Sequence, residues 1–195
     1  MAVRAGDDRV ILRDMEDGDI DPWCNWLLPH QEWHRWDAPY YPKPSVAEVE
    51  AMRTQMHRAA PAPQPAGLPD RLVIAGADNP DELLGVVTWY WESEETNWPR
   101  MGIAVYDPDV RGHGIGTSAL RLWTTFLFGH PNASMRGAVR LDYATWSGNE
   151  PMVAVGRKLG FTEEARFRQA RIVDGAFYDS VVMGVLRSEW QHRLD

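Results

Sequence analysis

Val110-Arg111-Gly112-His113-Gly114-Ile115-Gly116-Thr117 is the stretch on which the reading of this chain turns. On its N-terminal side, Met101-Gly102-Ile103-Ala104-Val105 has the character of a strand and is broken by Asp107-Pro108. On its C-terminal side, Thr117 to Phe128 is apolar almost all round, with Ala119, Leu120, Leu122, Trp123, Phe126 and Leu127, as expected of a buried helix. Glycines at alternate positions let the backbone turn tightly and strip side chains from its amides. Bare N–H groups at the positive end of a helix make a cradle for a diphosphate. The stretch therefore predicts a strand, an anion-binding loop and a helix.

Three ligand classes compete for such a loop. A Walker A loop needs a lysine after its last glycine, and here Gly116 is followed by Thr117 and Ser118. A Rossmann fingerprint needs G-x-G-x-x-G directly after the strand. This chain has G-x-G-x-G, and Asp107-Pro108-Asp109 intervenes, although Asp142 stands roughly where a ribose-binding acid is sought. The pattern R/Q-x-x-G-x-G/A is met by Arg111, Gly114 and Gly116. It resembles the coenzyme A pyrophosphate loop of the GNAT N-acetyltransferase superfamily. A glycine turn with no ligand is the remaining alternative for the loop taken alone.

A second segment bears on the choice. Val139 to Thr145 alternates as a half-buried strand does. Trp146-Ser147-Gly148-Asn149 follows, with Pro151 in the first turn of a helix and Lys158-Leu159-Gly160-Phe161 at its end. Gly160 suits the left-handed residue that commonly closes a helix. GNAT enzymes similarly have a strand ending in asparagine, a short helix and a closing K-x-G-F, and Asn149 and Lys158 to Phe161 match that spacing. The resemblance covers about residues 82 to 190, and weakly the N-terminal part. The tail from Phe167 to Ser180, with the hairpin signal Asp174-Gly175 before the apolar run Tyr178 to Leu186, resembles one branch in particular. That branch contains the ribosomal-protein N-terminal acetyltransferases and uncharacterised relatives.

The resemblance implies a mixed, mostly antiparallel α/β sheet with splayed central strands flanked by helices. It implies acetyl-CoA as acyl donor and direct transfer of acetyl to a primary amine on a small molecule or a peptide. Pantetheine is then expected along Ile103, Ala104 and Val105 of the fourth strand. Phosphates are expected on Arg111, Gly112, His113, Gly114, Ile115, Gly116 and Thr117, and further cofactor contact at Asn149. The tyrosine that protonates the leaving thiolate in many relatives falls seven residues after the asparagine. Here that position is Gly156. Ser147, on the same turn, is the first substitute, with Tyr143 or water as alternatives. Glu92, at the end of a strand beside the expected cleft, is the favoured base, with Asp37 and His34 as rivals. The missing tyrosine also keeps open a catalytically silent acyl-CoA-binding module.

Composition sets bounds on these readings. The 195 residues suit a single domain with a full core. The net charge of −8 argues against a nucleic-acid binder. No apolar run approaches the ~20 residues that span a bilayer, and the charged N-terminus does not resemble a secretory signal, so a cytoplasmic protein with no membrane partner is expected. The lone Cys24, between Trp23 and Trp26, reads as a buried structural thiol, and the six histidines show no metal-ligand spacing, so no metal is expected. The apolar C-terminal strand offers a surface for a homodimer.

Elsewhere, Val10-Ile11-Leu12 reads as the first strand. Asp21-Pro22 opens a helix that Pro29 stops, and Ser45-Val46-Ala47-Glu48 opens another running to about Arg58. Pro61 to Pro69 forms a surface connection, and strands follow at Leu72 to Ala75, Leu83 to Trp91 and Trp98 to Val105. The expected order is β-α-α-β-β-β-α-β-α-β-β. Trp23, Trp26, Trp33, Trp36, Tyr40 and Tyr41 cluster early. Trp23 and Trp26 suit packing, whereas Trp33, Trp36 and Asp37 lie in a polar stretch suited to holding a cationic acceptor.

Overall fold

The computed structural model describes residues 1–59, 67–130, 135 and 137–192. Eight strands form one sheet: β1 (Val3–Gly6), β2 (Val10–Arg13), β3 (Arg71–Gly76), β4 (Gly85–Ser93), β5 (Trp98–Val105), β6 (Arg140–Trp146), β7 (Thr162–Val173) and β8 (Ala176–Leu186). Their spatial order is β1-β2-β3-β4-β5-β6-β8-β7. Every neighbouring pair is antiparallel except β5 and β6, which are parallel. The helices are α1 (Asp17–Leu27), α2 (Val46–Ala59), α3 (Ile115–Gly129), α4 (Glu150–Leu159) and α5 (Arg187–Gln191). This is the mixed, mostly antiparallel sheet flanked by helices that the sequence predicts.

Alternation along the strands gives the sheet two apolar faces. On β3, Leu72 and Ile74 join Leu120, Trp123 and Leu127 of α3, while Val73 between them packs with Trp23 of α1 and Met52 and Met56 of α2. Cys24 is wholly buried beside Ile20 and Val49, where burial pushes its thiol pKa up, so it is the structural thiol its neighbours suggested.

Several elements differ from expectation. A first strand, β1, precedes the one read from Val10, so the expected fourth strand is β5. The helix expected from Asp21 begins at Asp17, and Pro22 falls inside it. Asp19 sets that start: its carboxylate accepts from the Glu16 amide at 2.8 Å and from both terminal nitrogens of the buried Arg13 at 2.6 and 2.7 Å. Pro29 does follow directly on the helix end, where Leu28 is already extended. The Asp174-Gly175 hairpin forms with both residues at positive φ, 50° and 78°, as a tight primed turn requires. The proline-rich connection from Pro61 falls largely outside the described residues.

Candidate functional site

β5 and β6 pair in register only at Arg100 and Asp142. The wholly buried Asp142 carboxylate fixes this apex, accepting from Trp98 Nε1 at 2.6 Å, Arg100 Nε at 2.7 Å and Arg140 at 3.1 Å. It is a structural clasp with no part in holding a ribose. Beyond it the strands diverge into a cleft of about 530 Å³, lined by Met101 to Val105 on one side and Tyr143, Ala144 and Thr145 on the other.

The glycine loop meets this cleft. Asp107 accepts from the Asp109 amide at 2.8 Å and starts a short 3₁₀ turn, Pro108–Val110. Gly114 then caps α3 at φ 87°, a left-handed conformation that glycine adopts without strain. Gly112, Gly114, Gly116 and Thr117 all face the cleft. A Cβ on Gly112 would meet nothing within 4 Å, and one on Gly116 only Val105 Cγ2 at 3.8 Å, so the space beside these two glycines is open. His113 and Ile115 are not among the lining residues, although the loop that carries them is.

Arg111 lines the cleft but does not present a free guanidinium. It is paired with Glu32 of the 3₁₀ segment Glu32–Arg35, and Nη2 donates to the Tyr106 carbonyl at 3.0 Å. In this arrangement Arg111 braces the end of β5 against the segment that carries Glu32. Asn149 is similarly committed: its Oδ1 accepts from Met152 N at 3.2 Å as the cap of α4, and its Nδ2 donates to the Trp36 carbonyl at 3.0 Å. The same carbonyl accepts from Trp146 Nε1 at 2.9 Å. Asn149 therefore lines the cleft as a tie between its rim and the segment from residue 32 to 37.

That segment crosses the open end of the splay. Glu32 fastens it to Arg111 on the β5 side and accepts from Trp36 Nε1 at 2.9 Å, while the Trp36 carbonyl fastens it to the β6 side. Trp33 and Trp36 both line the cleft; Trp33 is also packed edge-on against Tyr106, whereas Trp36 is exposed. Asp37 lines the cleft as well, and no hydrogen bond or ion pair occupies its side chain among the described residues. It is exposed at the cleft wall, and desolvation by the neighbouring protein raises its carboxyl above the ordinary range. The next residue, Ala38, is held at φ 45°, a strained conformation of the kind that clusters at functional sites.

Three expected chemical groups lie elsewhere. The Ser147 hydroxyl accepts from the Asp179 amide at 3.0 Å, and Ser147 N donates to the Asp179 carbonyl at 2.9 Å, so this serine extends the β6–β8 pairing and does not line the cleft. Glu92 is paired with Arg100 at 2.7 Å in a separate depression of the sheet with Arg140 and Glu164. His34 is buried with Nε2 against the Leu27 and Leu28 carbonyls, and burial lowers its pKa. Tyr143, by contrast, lines the cleft. Its hydroxyl donates to the Met152 carbonyl at 3.0 Å, and burial pushes its pKa up. It occupies the space beside Gly156, where a Cβ would run into the Tyr143 hydroxyl. Among the described residues no cluster of three or more His, Cys, Asp or Glu could hold a metal, and no helix is long and apolar enough to cross a membrane.

A mixed sheet opened at its single parallel pair, with a bare-amide loop entering a helix at one end of the opening, is the frame of a GNAT fold. The chain belongs to this family: residues 9–162 match the acetyltransferase (GNAT) domain. It is 27% identical over 121 residues to the SPbeta prophage-derived uncharacterized N-acetyltransferase YokL of Bacillus subtilis, covering 62% of this chain and 64% of YokL. It is 31% identical over 83 residues to YdaF of the same organism, provisionally named a ribosomal N-acetyltransferase, covering 43% of each. The chain thus spans less than two thirds of either relative. Among solved structures, a GNAT-family acetyltransferase from Bacillus anthracis superposes with a TM-score of 0.68 at 15% identity, covering 97% of this chain and all of the other. A variant of the spermidine N-acetyltransferase SpeG from Vibrio cholerae gives 0.69 at 16% identity, with the same coverage. At such identities the likeness is one of fold.

Proposed function

We propose that the protein is a single-domain, cytoplasmic, acetyl-CoA-dependent N-acetyltransferase that transfers acetyl directly to a primary amine of a small molecule or peptide. The observation that carries this reading is the cleft itself: a stretch of β5 not paired with β6, lined also by the glycine loop and by Trp33, Trp36 and Asp37. Family membership and the partial match to YdaF support it, and the latter favours the ribosomal-protein branch.

Acetyl-CoA supplies the activated acyl group. The amides from Gly112 to Thr117 suit its pyrophosphate. The main chain of Ile103, Ala104 and Val105, freed where β5 leaves β6, suits pantetheine, and covering that edge would satisfy its hydrogen bonds. Main-chain N–H groups of β5 are placed to stabilise the oxyanion formed as the amine attacks the thioester carbonyl. Trp33 and Trp36 flank the amine, and Asp37 takes its proton; a carboxyl raised above its ordinary value by desolvation is a better base for this transfer than an ordinary one. The C–N bond forms, the C–S bond breaks, and the departing thiolate takes a proton from Tyr143 or from water. Burial keeps the Tyr143 hydroxyl protonated.

Thiol release from acetyl-CoA across an amine panel, measured beside coenzyme A affinity, tests the proposal. Turnover with an amine supports it, and failure to bind coenzyme A refutes it. Tight binding without turnover on any amine establishes the second reading, a silent acyl-CoA-binding module. Gly156 at the usual tyrosine position and the committed Ser147 hydroxyl favour that alternative.

A further inference from the structure

A second depression, of about 460 Å³, meets the cleft at Ala144, which lines both. Its walls are apolar at Trp98, Ala165, Phe167 and Val182 and charged at Glu92, Glu164, Arg100, Arg140 and Arg171. The charges are not evenly matched. Glu92 is paired with Arg100 and Glu164 with Arg140, and the buried Asp142 accepts from both of these arginines. Arg171 has no carboxylate partner among the described residues: its guanidinium stacks on the Tyr40 ring at 4.6 Å, and its Nη1 donates to the Ala170 carbonyl at 3.2 Å. Stacking leaves the in-plane donors of a guanidinium free. Nε and Nη2 form the edge with which arginine grips a carboxylate through two parallel hydrogen bonds. In Arg171 both lack a partner among the described residues, and Nε is buried, where an unpaired donor is costly.

The placement of Arg171 is built into the fold. Phe167 pairs with Ser180 and Arg171 with Tyr178, so Arg168, Gln169 and Ala170 bulge opposite the single residue Asp179. Gln169 sits at φ 55°, and Asp179 pins the bulge, its Oδ1 accepting from Gln169 N and its Oδ2 from Arg166, each at 3.0 Å. A bulge of this kind re-aims a side chain, and here Arg171 and Phe167 both line the depression. From the other side, Tyr40 follows Asp37 by three residues, through a turn in which Tyr41 N donates to the Ala38 carbonyl at 3.0 Å. Three residues reach at most about 11 Å. Asp37 in the cleft and the ring that supports Arg171 therefore belong to one short, turned segment.

We propose that this depression holds the distal part of the acceptor and that Arg171 takes a carboxylate there, so that the preferred acceptors are amines bearing a carboxylate a short chain away, as ω-amino acids and short peptides do. The inference rests on the N-acetyltransferase reading and deepens it by naming the acceptor class. The same geometry disfavours a cationic tail. To reach Glu92 or Glu164 such a tail must displace an arginine, whereas an anion on Arg171 displaces nothing. Trp98 and the exposed Phe167 offer apolar surface to the chain between the two charged ends.

γ-Aminobutyrate, ε-aminocaproate, Ala-Ala and Ala-Ala-Ala are offered with acetyl-CoA to wild type, Arg171→Gln and Arg171→Lys, each as free acid and as carboxamide, with spermidine as the cationic acceptor. Wild type is expected to favour the acid over its amide by roughly 5- to 30-fold in kcat/KM for at least one chain length, as for a charge-assisted contact partly exposed to solvent. Arg171→Gln should bring that ratio to about one with the KM for acetyl-CoA unchanged. Arg171→Lys, which keeps the charge without the fork, should restore part of it. A purely structural role for Arg171 would weaken acid and amide alike and leave the ratio as it was. Arg171 is half-buried, so each variant is checked by melting; if Arg171→Gln does not fold, the wild-type ratio and its fall in Arg171→Lys decide. No preference for any acid in wild type, an unchanged ratio in the variants, or spermidine preferred to every acid overturns the proposal and leaves the acetyltransferase reading standing. If no acceptor is acetylated, calorimetric titration of the same pairs into protein holding coenzyme A decides by the same ratio. Failure of wild type to bind coenzyme A refutes the acetyl-CoA reading and this inference with it, so the two failures are distinguishable.

Discussion

Replacing Gly156 by alanine sets two effects of opposite sign against each other. Gly156 lies inside α4, and glycine to alanine in a helix interior ordinarily stabilises by ~1 kcal/mol. Here the new Cβ would land on the Tyr143 hydroxyl, with Tyr143 Cζ and Met183 Cε each at 3.2 Å. Tyr143 is 2% exposed, its ring packs against Phe161 at 5.5 Å, and its hydroxyl donates to the Met152 carbonyl. A phenol cannot turn its oxygen aside by rotating its ring, so the whole side chain must shift. Losing that buried hydrogen bond costs about 1–3 kcal/mol, and crowding the packed site about as much again. The net expectation for Gly156→Ala is a destabilisation of roughly 1–5 kcal/mol, read by urea unfolding followed through circular dichroism. The same substitution in a Tyr143→Phe background should cost at least ~1 kcal/mol less, because the clashing oxygen is gone. Wild-type or higher stability for Gly156→Ala, or an identical cost in the two backgrounds, would refute this account of the site.

Asp37→Asn is expected to lower turnover sharply, on the order of 10²-fold for a lost base. In the wild-type protein kcat should climb as pH rises through the raised Asp37 pKa. Because folding disfavours the charged form of this carboxyl, the asparagine variant should melt no lower than wild type at neutral pH. Asp7 behaves in the opposite sense: burial alone would raise its pKa, but Ser118, the Val10 and Arg9 amides and Arg121 outweigh it and hold the carboxyl down to about 2. Its stabilisation is present above the ordinary carboxylate pKa of ~4 and lost as pH falls toward 2, so Asp7→Asn should cost about 1–2 kcal/mol at pH 7 and much less at pH 2.5 in unfolding experiments. Gly114→Val should reduce coenzyme A affinity at least tenfold, since a branched side chain resists φ 87° and would crowd Arg9; a folded variant with wild-type affinity would remove the loop from the binding site.

What was legible in the sequence was local. The bare-amide loop, the apolar α3, the α4 helix closed by Gly160 and the Asp174-Gly175 hairpin each carry their signal within a few residues, so they and the sheet class could be read directly. β1 could not, because Val3-Arg4-Ala5-Gly6 is only four residues long, too short for its pattern to mark a strand, and it takes its conformation from pairing with β2. The start of α1 was misplaced because the ion pair between Asp19 and Arg13 competes with the more familiar signal of Asp21-Pro22. At the site, spacing indicates candidate residue types but not the partners that engage them. Arg111 meets Glu32 across 79 positions and Asn149 meets Trp36 across 113, distances over which spacing carries no information. Ser147 and Glu92 are engaged by Asp179 and Arg100, partners that strand pairing brings alongside them.

The segment from Glu32 to Asp37 gives the cleft a closed outline. Asp142 holds the apex where β5 and β6 meet, and the Glu32 and Trp36 ties hold the mouth, so the opening is a triangle with all three sides fixed. Widening such a frame requires breaking the Glu32–Arg111 pair or the contacts to the Trp36 carbonyl, because only five residues span the two ties. Acceptors would then be sorted by cross-section before they are sorted by charge. A search for variants that accept bulkier amines should accordingly lengthen this segment by insertion rather than trim the aromatic walls, leaving the phosphate loop and the β5 main chain untouched.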